Sequence, residues 1–166
     1  MKRLLRIVVA IPILTVLNSC ATWMQPPVQP GQSEAQVLAR MGQPTQVYQD
    51  GASRLLEYRH GRMGQTTDMA RIGPDGKLVS FEQVLTLRQF ASIKIGEANK
   101  DKVLRTIGAP SEIRFYSLSQ LEAWSYPFKE SDVWDSLMAV YFDKAGIVRK
   151  LENGPDPFRM PGGDHQ

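Results

Sequence analysis

Cys20 is the residue whose type and position point most directly to a covalent reaction. It follows a positive head, Lys2, Arg3 and Arg6, and an apolar run from Ile7 to Leu17 broken only by Pro12 and Thr15. Charged, then apolar, then small is the order of a secretory signal. The run is shorter than the ~20 apolar residues of a spanning helix. Leu17-Asn18-Ser19-Cys20 resembles a lipobox, with cleavage before Cys20, which becomes the new N-terminus and carries lipid. Asn18 departs from the usual small or β-branched residue of that motif, and an ordinary signal with a chance cysteine is the other reading. Cys20 is the one cysteine of the 166 residues, so no disulfide forms within the chain. A lone cysteine in an exported protein calls for an explanation, and lipidation supplies one.

Other reactive groups are sparse. His60 stands in a loop-like His60-Gly61-Arg62 and His165 near the C-terminus, and a general base or metal ligand needs a partner. No His, Cys or Asp cluster has ligand spacing, so no catalytic residue, metal or cofactor is expected. Asp132 and Asp135 flank Trp134 and read as solvated loop carboxylates, while Asp75 and Asp143 belong to turn sequences. Phosphate-loop, dinucleotide and Gly-x-Ser-x-Gly signatures are lacking. When residues 1–19 leave, three cations go with them and the balance falls from 20 basic residues to 17, against 17 acidic. The mature chain is formally neutral, and no clustered positive patch points to nucleic acid; Arg54, Arg59, Arg62 and Arg71 are interleaved with Glu57 and Asp68.

The elements that position these residues repeat. The segment 37–44 (VLARMGQP) lines up with 103–110 (VLRTIGAP) at an offset of 66. Val47 pairs with Ile113 and Tyr58 with Trp124 at that offset, while 71–78 matches 141–148 at 70, which puts about four extra residues in or near 125–137. Each copy opens with a short helix, 33–41 capped by Ser33 and 100–107 capped by Asn99. Each helix ends at a glycine followed by Pro44 or Pro110, a stop signal rather than a phosphate loop. Strands are predicted at 45–49, 54–59, 68–72 and 78–84, then 112–116, 122–128, 137–142 and 148–151, with hairpin turns at 73–76 and 143–146. Glu122, Trp124, Tyr126 and Phe128 share one strand face. Leu87, Phe90 and Ile93 suggest a linking helix within 85–93 that packs on a sheet.

The predicted fold class is α+β: two tandem helix-then-antiparallel-meander units, each a small sheet with its helices on one face. The expected divisions are a signal at 1–19, a proline-rich tether at 20–32, units at 33–85 and 86–152, and a disordered tail at 153–166. Such a tether, extended at ~3.1 Å per residue, would reach roughly 30–40 Å.

Ile95-Gly96, Asp101-Lys102-Val103-Leu104, Ile107-Gly108-Ala109-Pro110, Trp124-Ser125-Tyr126 and 140–148 (VYFDKAGIV) resemble the SmpA/OmlA family, which includes the BamE lipoproteins of the outer-membrane β-barrel assembly machinery. The resemblance covers most of the second copy and, more faintly, the first, where Arg71 and Gly73 replace an aromatic and an aspartate. BamE is a single unit, so the tandem is a departure. Paired units also look like the β-lactamase inhibitor protein fold in architecture. The resemblance implies a non-enzymatic lipoprotein at the outer membrane, facing the periplasm, that scaffolds or modulates barrel assembly or envelope integrity. Ala21, next to the lipidated cysteine, is compatible with transfer to that membrane. The alternative is an inhibitor or regulator of an envelope enzyme. Either role needs a protein partner. Phe128, Val133 and Trp134, near the tip of the loop that carries extra length, are the candidate contact residues, although Trp134 could instead fold back over the sheet edge.

Overall fold

The computed structural model describes residues 28–61 and 64–159. Cys20, Ala21, Arg62 and His165 lie outside them. Helix α1 (Glu34–Met41) starts at a reciprocal capping box: the Ser33 hydroxyl accepts from the Gln36 N–H at 3.3 Å, and the Gln36 side chain accepts from the Ser33 N–H at 2.8 Å. The short α2 (Leu87–Ala91) is capped by Thr86. In α3 (Lys100–Ile107) Asn99 Oδ1 accepts from the Lys102 N–H at 2.8 Å. Helices α1 and α3 both stop at a glycine, Gly42 or Gly108, with φ 80° and ψ −165° or −170°. That region is essentially reserved for glycine.

The strands make two separate four-stranded antiparallel sheets, and the protein is a small α+β structure. The first holds β1 (Gln46–Asp50), β2 (Ser53–Arg59), β3 (Thr67–Ile72) and β4 (Leu78–Gln83) in chain order. The second holds β5 (Glu112–Tyr116), β6 (Leu121–Glu130), β7 (Trp134–Phe142) and β8 (Val148–Pro155), also in order. Register corrects the sequence alignment. Val47 faces Leu56 and Ile113 faces Trp124, so Tyr126, not Trp124, occupies the position of Tyr58. Only part of the extra length lies between β6 and β7; the rest is in the turn between β5 and β6.

Burial explains both the elements and the departures from expectation. In the second half, Phe90, Ile93, Val103 and Ile107 pack against Trp124, Tyr126, Phe128, Met138, Val140 and Phe142. A five-residue helix has no stability of its own. Phe90 pins α2, meeting the Phe128 ring edge-on at 5.0 Å, and full burial of such a side chain is worth about 1.5–3 kcal/mol. Leu87, expected on the packed face of a longer helix, is exposed. In the first half, Val37 of α1 packs against Leu56, Tyr58, Ala70 and Ile72. The opposite face of that sheet buries Leu55, Met69 and Val84 beneath the exit of α3. The first sheet is therefore covered on both faces rather than one, which is why β2 buries four consecutive residues, Leu55 to Tyr58.

Two expected boundaries move. Val28 is buried in the first core, and backbone bonds run from Gly31 N–H to Leu78 O and from Leu78 N–H to Gln32 O. The segment assigned to the tether thus joins the domain from residue 28 onward. At the other end β8 continues through Asn153, and Asp156 is buried with its N–H on Asp135 O, so the boundary expected at 153 falls inside a strand.

Candidate protein-binding surface

The β6–β7 hairpin positions the most exposed tryptophan among the described residues. Glu130 and Trp134 face each other across the strands and close a turn of Ser131, Asp132 and Val133. Ser131 and Asp132 take positive φ, 52° and 60°, without being glycine. Such residues cost about 1–3 kcal/mol each and persist only where their surroundings hold them. Here Glu130 supplies a brace: its Oε2 accepts from Ser136 Oγ at 2.8 Å and from Asn153 Nδ2 on β8 at 3.0 Å. Those bonds, Asn153 first, hold its carboxyl below the usual range. Asp135 is bound by Lys129 Nζ at 2.8 Å and by Gln65 Nε2 at 2.6 Å, which lower its pKa in that order. Gln65 also donates to Phe128 O at 3.3 Å, so the first half stitches the base of the hairpin.

Of the three expected contact residues, two stand on the surface. Val133 is 63% exposed and Trp134 70%, so Trp134 does not fold back over the sheet. Phe128 is fully buried and is removed from the surface. Phe128 lies on the strand face shared with Trp124 and Tyr126, and β6 runs to Glu130, two residues beyond its expected end, so Phe128 sits within the sheet rather than at the loop tip. Phe158 is exposed at the same end of the second sheet, placed by the turn at Asp156.

The remaining candidates have structural partners. His60 Nε2 lies 2.7 Å from Asp68 Oδ2 at an exposed strand end. Asp75 accepts from the Lys77 N–H at 3.1 Å. Asp143 accepts from the N–H groups of Ala145 and Ile147, at 2.9 and 3.0 Å, and from Arg149 Nε at 2.7 Å. Its pKa is lowered, by the Ile147 bond most and Arg149 next. Asp132 sits in the strained turn. Among the described residues no three His, Cys, Asp or Glu side chains are grouped to hold a metal ion. The described arginines of the loose basic group are each matched by an acid: Arg54 with Glu34 and Arg71 with Asp50 at 2.8 Å, and Arg59 with Glu57 at 3.5 Å.

One polar centre escaped the sequence reading. Glu57 is fully buried where the two halves meet. Its Oε2 accepts from Tyr48 Oη at 2.6 Å and from the Ala109 N–H at 3.0 Å. Oε1 has no hydrogen-bond partner, and Arg59 Nη2 donates instead to Ala109 O at 2.6 Å. Burial, then the bond to Glu57, pushes the Tyr48 phenol far above its ordinary value, and burial does the same to Tyr126, whose Oη donates to Gly108 O at 3.2 Å. The available signal was Glu57 itself, a carboxylate inside the apolar run Leu55-Leu56-Glu57-Tyr58. Beside this centre a cleft of about 390 Å³ opens between the first sheet and helices α2 and α3, with Leu55, Met69 and Val84 below and Arg71, Lys102 and Arg105 at its sides.

No family model matches the chain, and no curated protein does either. One solved structure with some similarity is that of a DUF4309 family protein (YjgB) from Bacillus subtilis subsp. subtilis str. 168. It is 13% identical, the match covers 75% of this chain and 78% of that one, and the TM-score is 0.33.

Proposed function

We propose that this chain is a non-enzymatic envelope lipoprotein, held at the outer membrane by lipid on Cys20. In this reading two BamE-like helix-then-meander units present a protein-binding surface that scaffolds or modulates β-barrel assembly or envelope integrity. The tandem is supported by matching parts. Helices α1 and α3 begin and end 66 positions apart, their terminal glycines share one backbone conformation, and each half has a four-stranded meander with a register shift at Arg71/Ile72 or Tyr141/Phe142. The observation that carries the binding role is Trp134, 70% exposed on a hairpin whose strained turn is braced by Glu130. A pre-positioned tryptophan gives up little freedom on binding, and tryptophan leads the residue types that dominate interface energies.

Photocrosslinking from position 133 in intact cells should yield adducts with barrel-assembly subunits, and recovery of none would overturn the assignment. Trp134→Ala should weaken that association by about 30-fold or more, the scale of a hot-spot residue. Because the side chain is exposed, its stability should stay within about 0.5 kcal/mol of the parent. An unchanged adduct yield would remove Trp134 from the surface. The anchor has its own test: labelled palmitate should be incorporated by the parent chain and not by Cys20→Ser. Label retained after that substitution would place the lipid elsewhere.

A further inference from the structure

The four outer strands of the two sheets are not equally protected. Strand β1 is flanked by α3, whose Arg105 Nε lies 3.7 Å from Asp50. Strand β4 is partly covered, because Gly31 and Gln32 bond to Leu78. Strand β8 carries Arg149, Lys150, Gly154 and Pro155, and its pairing with β7 is interrupted by a register shift. These are the usual ways of blunting an edge: cover, charge, proline and irregular pairing. Strand β5 lacks cover, proline and irregular pairing, and its two charges, Glu112 and Arg114, are opposite in sign. It pairs with β6 in five consecutive steps without a bulge, contains neither lysine nor proline, and all five residues are exposed. Ile113 and Phe115 are each 58% exposed on the face shared with Trp124.

The sequence of β5 is also self-complementary. Glu112 and Arg114 lie on the opposite face, with Arg114 Nη2 donating to Glu112 Oε1 at 2.8 Å. In an antiparallel self-pairing centred on Ile113, the two isoleucines face each other. Glu112 then faces Arg114 of the second copy, and Arg114 faces its Glu112. Moving the centre one residue along sets Arg114 against Arg114, and like charges directly opposite are unfavourable. Charge separates these two registers, because the second sets Ile113 against Phe115 and apolar contact alone does not decide between them.

We propose that the free edge of β5 pairs antiparallel with β5 of a second copy, with Ile113 on the two-fold axis, joining two four-stranded sheets into one continuous sheet. A strand interface of this kind is symmetric and closed, so it stops at the dimer.

The test uses the full chain in its membrane, with the parent, whose one cysteine is Cys20, as the control. Under mild oxidation Ile113→Cys should give a disulfide-linked dimer, since facing Cβ atoms of an antiparallel pair are ~4.5–5.5 Å apart. Glu112→Cys alone and Arg114→Cys alone should not, whereas cells making both should give the mixed dimer. Glu112→Arg should weaken the dimer at least about tenfold, and adding Arg114→Glu should restore it. All of these positions are exposed, so an unchanged thermal midpoint for each variant separates lost pairing from lost folding. Failure of Ile113→Cys to self-link would overturn the proposal, as would equal self-linking by all three single-cysteine variants or an adduct of position 113 with a different protein in place of the dimer.

Discussion

Gly108→Ala should destabilise the protein by about 1–3 kcal/mol more than Gly42→Ala, although the two glycines have the same backbone conformation. Each substitution forces alanine into a region that costs about 1–3 kcal/mol. At Gly42 the new methyl group meets nothing within 4 Å. At Gly108 it would stand 2.9 Å from Glu57 Oε2, 3.0 Å from Glu57 Cδ and 3.3 Å from Thr67 Cγ2. Glu57 is fully buried and fastened by Tyr48 and by the Ala109 N–H, so it cannot swing clear without breaking both bonds. The difference between the two variants therefore measures the crowding at the junction of the halves, with the backbone penalty cancelled. Denaturant midpoints at equal slope would read it, and equal losses would mean that the junction yields without cost.

Glu57→Ala should cost about 3–5 kcal/mol, the range for removing one member of a buried ion pair. The loss strands three groups: the Tyr48 hydroxyl, the Ala109 N–H and the positive charge of Arg59, which lies 3.5 Å from the carboxylate. Glu57→Gln should cost less, because its amide oxygen can still accept from Tyr48 and Ala109 while only the charge is lost. For a domain of this size 1 kcal/mol moves the thermal midpoint by roughly 2–4 °C, so the alanine variant should melt on the order of 10 °C lower. A shift of less than about 2 °C would show that water or a rearranged Arg59 replaces the carboxylate.

Local signals in the sequence were read well where the physics is local. Ser33 and Asn99 cap their helices, Gly42 and Gly108 end them, and the turns at Gly76 and Gly146 have positive φ, because capping and turn chemistry act within a few residues. Alternation puts Trp124, Tyr126 and Phe128 on one strand face, and all three are buried, but it does not say how far a strand runs. Strands β6 and β7 extend farther toward each other than expected, and the hairpin is correspondingly tighter. Phe128 therefore stands within the sheet and not at the loop tip, while Trp134 is on the surface. The errors of another kind came from contacts between distant segments. Val28 is buried by α1 and the first sheet, and Glu57 is buried by the segment that follows α3. Nothing within ten residues of Val28 announces its surroundings, whereas the apolar run around Glu57 did mark that carboxylate.

The burial of Val28 also sets how far the protein can act. If lipid sits on Cys20, the first fixed point of the domain is eight peptide steps away, and a fully extended chain spans about 28 Å over that distance. A compact domain of about 130 residues has a radius of gyration near 14 Å and is about 36 Å across, so even a fully extended link of that length is shorter than the domain. On the proposed anchoring the domain would not explore the depth of the periplasm. It would stay against the bilayer, and a partner fixed in the same membrane would meet it at an effective concentration on the order of millimolar. Under that confinement even a weak strand edge or a single exposed tryptophan is enough to keep a complex together, while partners free in the periplasm gain nothing from the mooring.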